Sequence, residues 1–477
     1  MRKINSLFVA VLALLALCAC NKDKTTSLEL SRTALYYAGW NAPAQSVRYV
    51  ATNAQSVAVA TVTDGWSYEQ DKATREIRIR PVGSESGDNS SLSTKGMLTI
   101  NVINKAGATS SYYIDLYIAE VVELDADGAA NCYIVTTPNQ AYTFDVKHKP
   151  NGEELDTRAV KLLWQSTAVL VNNVDYTDGR VSFFVSESSE DNTKVDESNA
   201  VIAAYNGDDM VLWSWHLWVT NNNPLNDTAT YSNGKEFMTR NLGSYGSSNG
   251  STDIEKIHDS YGLYYQWGRK DPFPRPYYHD CSEAVFESRY ERNGYLLDEF
   301  AYSVADGYGT LEFATGNPMV YIINEEGDWL QTPNSSLWSD DNKSVYDPCP
   351  AGWRVPTAKD LEVLTLADAE DNTSLDVARK QYGWHLTDDN GQKFFYSACG
   401  FVRYIDGKVQ NMNHKLEVYP STPEPWEGHY WTSSATTDGK AKSLYFDLTT
   451  TRANINKFDA DYPDRRANGK QIRCVKE

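Results

Sequence analysis

The chain carries little positive charge for its size. Lys and Arg total 44 against 64 Asp and Glu in 477 residues, a formal net charge of −20. A surface of that sign repels phosphate backbones, so nucleic acid is excluded as an expected partner. Beyond the first twenty residues no apolar run approaches the length a membrane-crossing helix needs. Cysteine is sparse, with seven in all. None of Cys132, Cys281, Cys349, Cys399 and Cys474 forms a close Cys-x-x-Cys pair, which argues against zinc ribbons and thioredoxin-type redox sites. A His-Glu-x-x-His pair and a Walker loop are also missing. No catalytic residue, metal or cofactor is therefore assigned, and no enzymatic activity is expected.

Aromatic residues are plentiful, with 13 Trp, 31 Tyr and 14 Phe. That supply suits β-rich domains and ring-on-ring binding surfaces.

The first residues carry an address. Arg2 and Lys3 precede an uncharged apolar run, Leu7 to Leu17, too short to span a bilayer as a helix. Leu17-Cys18-Ala19-Cys20 resembles a bacterial lipobox. The small Ala19 fits the slot before the modified cysteine better than Leu17 would, which selects Cys20 over Cys18. Residues 1–19 are thus expected to be a lipoprotein signal peptide and Cys20 the lipidated residue, with residues 20–27 a polar tether. The following Asn21-Lys22-Asp23-Lys24 partly resembles the export signal of surface lipoproteins of the Bacteroidota. The expectation is a chain held in outer-membrane lipid by N-terminal acyl chains and exposed on the cell surface.

Two β-rich segments follow. Residues 28–120 contain short alternating runs, among them Val47 to Val50, Val57 to Val59, Arg75 to Arg80, Met97 to Ile103 and Tyr112 to Ile118. Strands at short spacing with turn signals between them predict a β-sandwich. The stretch from Thr52 to Trp66 resembles the immunoglobulin-like BACON modules of Bacteroidota surface proteins. Residues 121–222 form a second β-rich segment, closing on Met210 to Val219 and then Asn221-Asn222-Asn223-Pro224. Trp213, Trp215 and Leu217 share one strand face, with Ser214, His216 and Trp218 opposite. These rings read first as packing between β layers and second as a platform for sugar rings, and His216 reads as structural.

Residues 223–477 are rich in Tyr, Trp and Asn. Thr357-x-x-Asp360 before Leu361, Val363, Leu364 and Leu366 predicts a capped helix start, and a second helix is expected over Leu375 to Tyr382. Ordered boxes run through this segment: Phe237 to Leu242, Tyr261 to Arg269, Cys349 to Thr357, Ser397 to Phe401, Tyr430 to Ser434 and Ile472 to Val475. Together they resemble the Fibrobacter succinogenes major paralogous domain, related to C-type lectin-like folds. Phe237 stands where that family has Trp, and a long insertion separates Arg269 from Tyr346. The resemblance implies a multidomain, mainly β chain ending in a mixed α+β lectin-like domain. It also implies a disulfide between Cys349 and Cys474, against the alternative of two buried free thiols.

Several other motifs have plainer readings. Gly246-Ser247-Ser248-Asn249-Gly250 matches a nucleophile elbow in letters only and has loop composition. Asp125 to Gly128 and Asp388 to Gly391 read as turns before ion sites. Near the C-terminus, Trp426, Glu427 and Tyr430 are expected in a loop before a strand, with Asp447 and Asn454 near the partner strand's end. Rings beside carboxylate and amide groups suit sugar or peptide recognition, so these five are the candidate ligand-binding residues. The expected function is non-catalytic binding or adhesion toward a glycan or surface protein. A structural accessory of a fimbrial or other surface assembly, or an enzyme hidden on a lectin-like fold, are the alternatives.

Overall fold

The computed structural model describes residues 26–277, 285–292, 294–297, 301–366, 372–412, 426–449 and 458–477. Cys20 and Cys281 lie outside the described residues. The chain is mainly β and divides into two compact units, Met1–Val121 and Val122–Glu477.

The first unit is built from β1 (Ser27–Leu30), β2 (Ala34–Tyr37), β3 (Gln45–Thr52), β4 (Ala54–Val62), β5 (Trp66–Asp71), β6 (Glu76–Pro81), β7 (Lys95–Asn104) and β8 (Thr109–Ile118). Two four-stranded sheets, ordered β1-β3-β6-β5 and β2-β8-β7-β4, enclose one apolar core. Alternation supplies that core: Ile77 and Ile79 from β6, and Leu98, Ile100 and Val102 from β7, are all fully buried. Trp66 packs edge-on to Tyr37, whose hydroxyl donates to the Ile79 carbonyl at 2.6 Å.

After β9 (Val121–Glu123), whose first residue closes the first unit, the second unit continues with β10 (Cys132–Val135), β11 (Gln140–Asp145), β12 (Ala159–Gln165), β13 (Val171–Thr177), β14 (Arg180–Val185), β15 (Ser198–Tyr205) and β16 (Val211–Val219). Sheets β10-β16-β15-β12 and β13-β14-β11-β9 form another layered pair. Trp213, Trp215 and Leu217 fill the core between them. The opposite face of β16 is buried as well. Trp218 packs with Cys132, Tyr265 and Trp267, and its indole donates to the Ser244 carbonyl at 2.8 Å. His216 meets the Asn199 side chain at 2.9 Å, and burial lowers its pKa to about 3. Neither face of β16 offers rings to solvent, because residues beyond 223 cover one side. Residues 122–222 and 223–477 therefore share a core within one compact unit.

The rest of this unit joins small sheets with short helices. Thr357 Oγ1 accepts from Asp360 N at 3.0 Å and Asp360 Oδ2 accepts from Thr357 N at 2.8 Å, a complete capping box. The helix it starts ends at Leu361, because Thr365 pairs with Thr387 in a β-bridge and pulls the chain out of helical register. A second helix spans Asn372–Gln381. Cys349 and Cys474 are disulfide-bonded, 125 residues apart in sequence, while Cys132 and Cys399 are buried free thiols. Asp125 pairs with Arg180 at 2.6 Å in the turn before β10.

Candidate functional site

A three-stranded antiparallel sheet, Glu427–Ala435, Ala441–Asp447 and Phe458–Asp464, forms the site. Successive side chains on a strand point to opposite faces. On one face Tyr430, Leu444 and Phe446 enter the apolar core, with Trp426 and Leu448 just outside the strand ends. Gly428 is required here, because a Cβ would sit 2.1 Å from the Phe446 ring. On the other face Glu427 and His429 stand beside Tyr445, which is directly opposite His429 in the ladder. Tyr462 of the third strand stacks on Tyr445 with ring centres 4.9 Å apart.

The expected loop over Trp426, Glu427 and Tyr430 is thus a strand from Glu427 onward, and its alternation separates the three residues. Trp426 is buried edge-on against Tyr382. Tyr430 is buried too, its hydroxyl donating to the Ser397 carbonyl at 2.7 Å. These two rings belong to the core. Asp447 is buried and accepts from Thr449 N at 2.7 Å. Of the four described candidates, Glu427 alone lines the cavity described next. Asn454 lies outside the described residues.

That cavity holds about 480 Å³ on the Glu427 face. Its walls are the rings of Phe401, Tyr404, Tyr445 and Tyr462, with Asn411, Asn468, Asp459 and Asp464 among the polar groups. Glu427 Oε2 accepts from His429 Nε2 at 2.9 Å and from Asn411 Nδ2, and Oε1 accepts from the Tyr445 hydroxyl at 3.4 Å. The backbone reinforces this clamp. Glu427 N donates to the Asn411 carbonyl at 2.9 Å, and Gly400 N donates to the Glu427 carbonyl at 2.8 Å. Gly400 has φ +61°, and a Cβ there would lie 2.1 Å from the Gln410 carbonyl oxygen. Two chain segments can therefore close on the strand only with glycine at 400.

Behind the rings sits a buried ion pair. Lys470 Nζ lies 2.7 Å from Asp464 Oδ2, donates to Ser443 Oγ at 2.8 Å, and sits 4.4 Å above the Trp431 ring. Burial depresses the Lys470 pKa while Asp464 works against it. Burial alone would raise Asp464, but Lys470 and His429 bring it below the usual carboxylate value. Burial and Lys470 likewise depress His429, with Glu427 opposing. For Tyr445, burial and then the Glu427 and Asp447 carboxylates push the phenol upward. Trp431, whose indole donates to the Tyr265 carbonyl at 2.8 Å, is a buried packing residue.

Tyr445, Tyr462, Asn411, Phe401 and Asp464 were not among the sequence candidates. Period-two reading of Glu427, His429 and Trp431, extended across the ladder, would have pointed to Tyr445. Nothing local points to Asn411 or Phe401. A second cavity, of about 510 Å³, adjoins the Gly246–Gly250 stretch. That stretch is loop, with no strand running into Ser248, and Asp253 caps the short helix Ile254–Asp259 behind it. The strained strand-to-helix turn of a nucleophile elbow is not formed.

No family model matches the chain, and no curated protein matches it. Among solved structures it is similar to the Bacteroides ovatus mixed-linkage glucan utilization locus SGBP-B in complex with mixed-linkage heptasaccharide, at 10% identity, 42% of this chain, 45% of that chain and TM-score 0.13. It is also similar to the human Desmocollin-1 ectodomain, at 9% identity, 41% and 40% coverage and TM-score 0.14. Drosophila N-cadherin EC1-3 matches at 13% identity, 39% and 62% coverage and TM-score 0.15. The chain spans less than half the length of the first two of these structures and under two thirds of the third.

Proposed function

We propose that the chain is a lipid-anchored bacterial surface protein that binds glycan, without catalysis, in the cavity over Glu427. The observation that carries the reading is the cavity itself. Four aromatic rings wall it, and Glu427 on its wall is held in place by Asn411, His429 and Tyr445. Rings stack on the apolar faces of sugars, and planar polar groups bond their hydroxyls. Glu427 already accepts from three donors, so it suits a fixed polar wall better than a proton-transfer group that must change partners. The lipobox around Cys20 and the resemblance to Bacteroidota surface lipoproteins support an outer-membrane address. The ordered boxes from Phe237 to Val475 support a lectin-like C-terminal domain. A single site of this kind binds weakly, and many copies on one surface raise the avidity.

The test is a glycan array probed with the mature chain, followed by titration of its best binder. Tyr462→Ala combined with Glu427→Gln should weaken that binder about tenfold or more. Unchanged affinity would rule out this cavity. Mass spectrometry of the mature N-terminus should find acylated Cys20, and a free amino group at another residue would remove the anchor.

A further inference from the structure

Arg465 is held in place, yet its guanidinium has no partner. Its Cζ lies over the Tyr404 ring, 4.6 Å from the ring centre, and both residues line the cavity. Its stem lies across Gly327, where a Cβ would sit 2.7 Å from Arg465 Cγ and 2.8 Å from Cδ. The turn that carries it is tied down as well. Arg465 N donates to Asp464 Oδ1 at 2.7 Å, and Ala467 N donates to the Gly327 carbonyl at 2.9 Å. Tyr404 N donates to Asn468 Oδ1 at 2.8 Å, which binds the ring's segment to the same turn. Ring, glycine and turn together restrict a long side chain whose ordering would otherwise fall on the ligand.

The other charged groups of the cavity are engaged. Arg403 pairs with Asp406, and Lys470 behind the rings pairs with Asp464. Glu427 accepts from His429, Asn411 and Tyr445. Asp459 Oδ1 accepts from Asp461 N at 2.9 Å. The Arg465 guanidinium has neither an ion pair nor a hydrogen bond among the described residues, and the residue is exposed. Its charge still reaches the cavity wall. Burial and the Asp464 and Glu427 carboxylates raise the Tyr462 phenol, and Arg465 opposes them. A guanidinium presents its N–H donors as a planar fork that matches two neighbouring acceptor oxygens.

We propose that Arg465 is the donor that orients the ligand in this cavity, taking two oxygens of one sugar residue in its fork. This rests on the glycan-binding reading of the same cavity. The chemistry recognised is a close pair of acceptor oxygens, offered by two adjacent hydroxyls or by a uronate carboxylate. Gly327 is a positioning residue, because any side chain there displaces the Arg465 stem.

The experiment uses the full mature chain on an array of matched neutral and uronate oligosaccharides, followed by titration of the tightest member. Arg465→Lys keeps the charge and loses the fork, and Arg465→Gln loses both. Each should bind that member about tenfold or more weakly. Their melting temperatures should stay within about 2 °C of the parent, since the residue is exposed. Removing one oxygen of the pair should weaken the parent and leave Arg465→Gln unaffected. The deoxy analogue of a neutral binder does this for hydroxyls, and the neutral counterpart of a uronate does it for a carboxylate. Gly327→Ala should reproduce the loss in the parent and add nothing to Arg465→Gln; an equal loss in both would overturn the positioning role. Arg465→Lys within about twofold of the parent overturns the proposal and leaves glycan binding standing. Silence on every saccharide overturns both the proposal and the glycan-binding reading.

Discussion

Replacing Cys349 and Cys474 together by alanine should destabilise the second unit by about 5 kcal/mol. The bond closes a loop between residues 125 apart. In the chain-entropy model that closure removes about 16 cal/mol/K from the unfolded ensemble, or about 5 kcal/mol at room temperature. The folded state loses less. Val475 already pairs with Phe237 and Arg354, so the last strand stays docked without the crosslink. Both cysteines are fully buried, and alanine leaves no polar group unpaired there. The assay is urea unfolding followed by tryptophan fluorescence, comparing oxidised parent, reduced parent and the Cys349→Ala/Cys474→Ala chain. The last two should coincide and unfold at lower urea than the first. Midpoints identical for all three would refute the reasoning, since no loop would then be closed in the unfolded chain.

Three further outcomes follow from the site sheet. Gly428→Ala should cost about 1–3 kcal/mol through overpacking against Phe446; combining it with Phe446→Leu should recover part of the loss in thermal melts, and no recovery would point away from that ring. Trp426→Ala should cost about 3–5 kcal/mol by cavity formation, whereas Tyr462→Ala should chiefly affect ligand binding; the reverse pattern would mean the two faces are misassigned. Asp464 has a depressed folded pKa, so its contribution is present above the ordinary value of 3.8 and is lost as pH falls through the lower folded value. The melting-temperature gap between parent and Asp464→Asn should accordingly be full near neutrality and shrink below about pH 4; a gap independent of pH would show that the charge is not what stabilises.

Alternating runs such as Glu76 to Pro81 and Lys95 to Asn104 were legible as strands because every second side chain is apolar and the backbone period is two. The two faces of β16 were equally legible, and so was the cap at Thr357 and Asp360, whose partners lie three residues apart. What covers each face was not written locally. One side of β16 is buried by the facing sheet of the same sandwich, the other because Ser244 and Tyr265 arrive from beyond residue 223. The site differs from its sequence reading for the same reason. Composition around Trp426 to Tyr430 shows rings beside carboxylates, but it does not say that Phe446 and Tyr382 claim one face. Glu427 meets Asn411 sixteen residues away, and Lys470 sits over the ring of Trp431 on a different strand. Residue types and strand period are local properties carried by the sequence; which face becomes core and which becomes cavity is decided by the segments that pack against it.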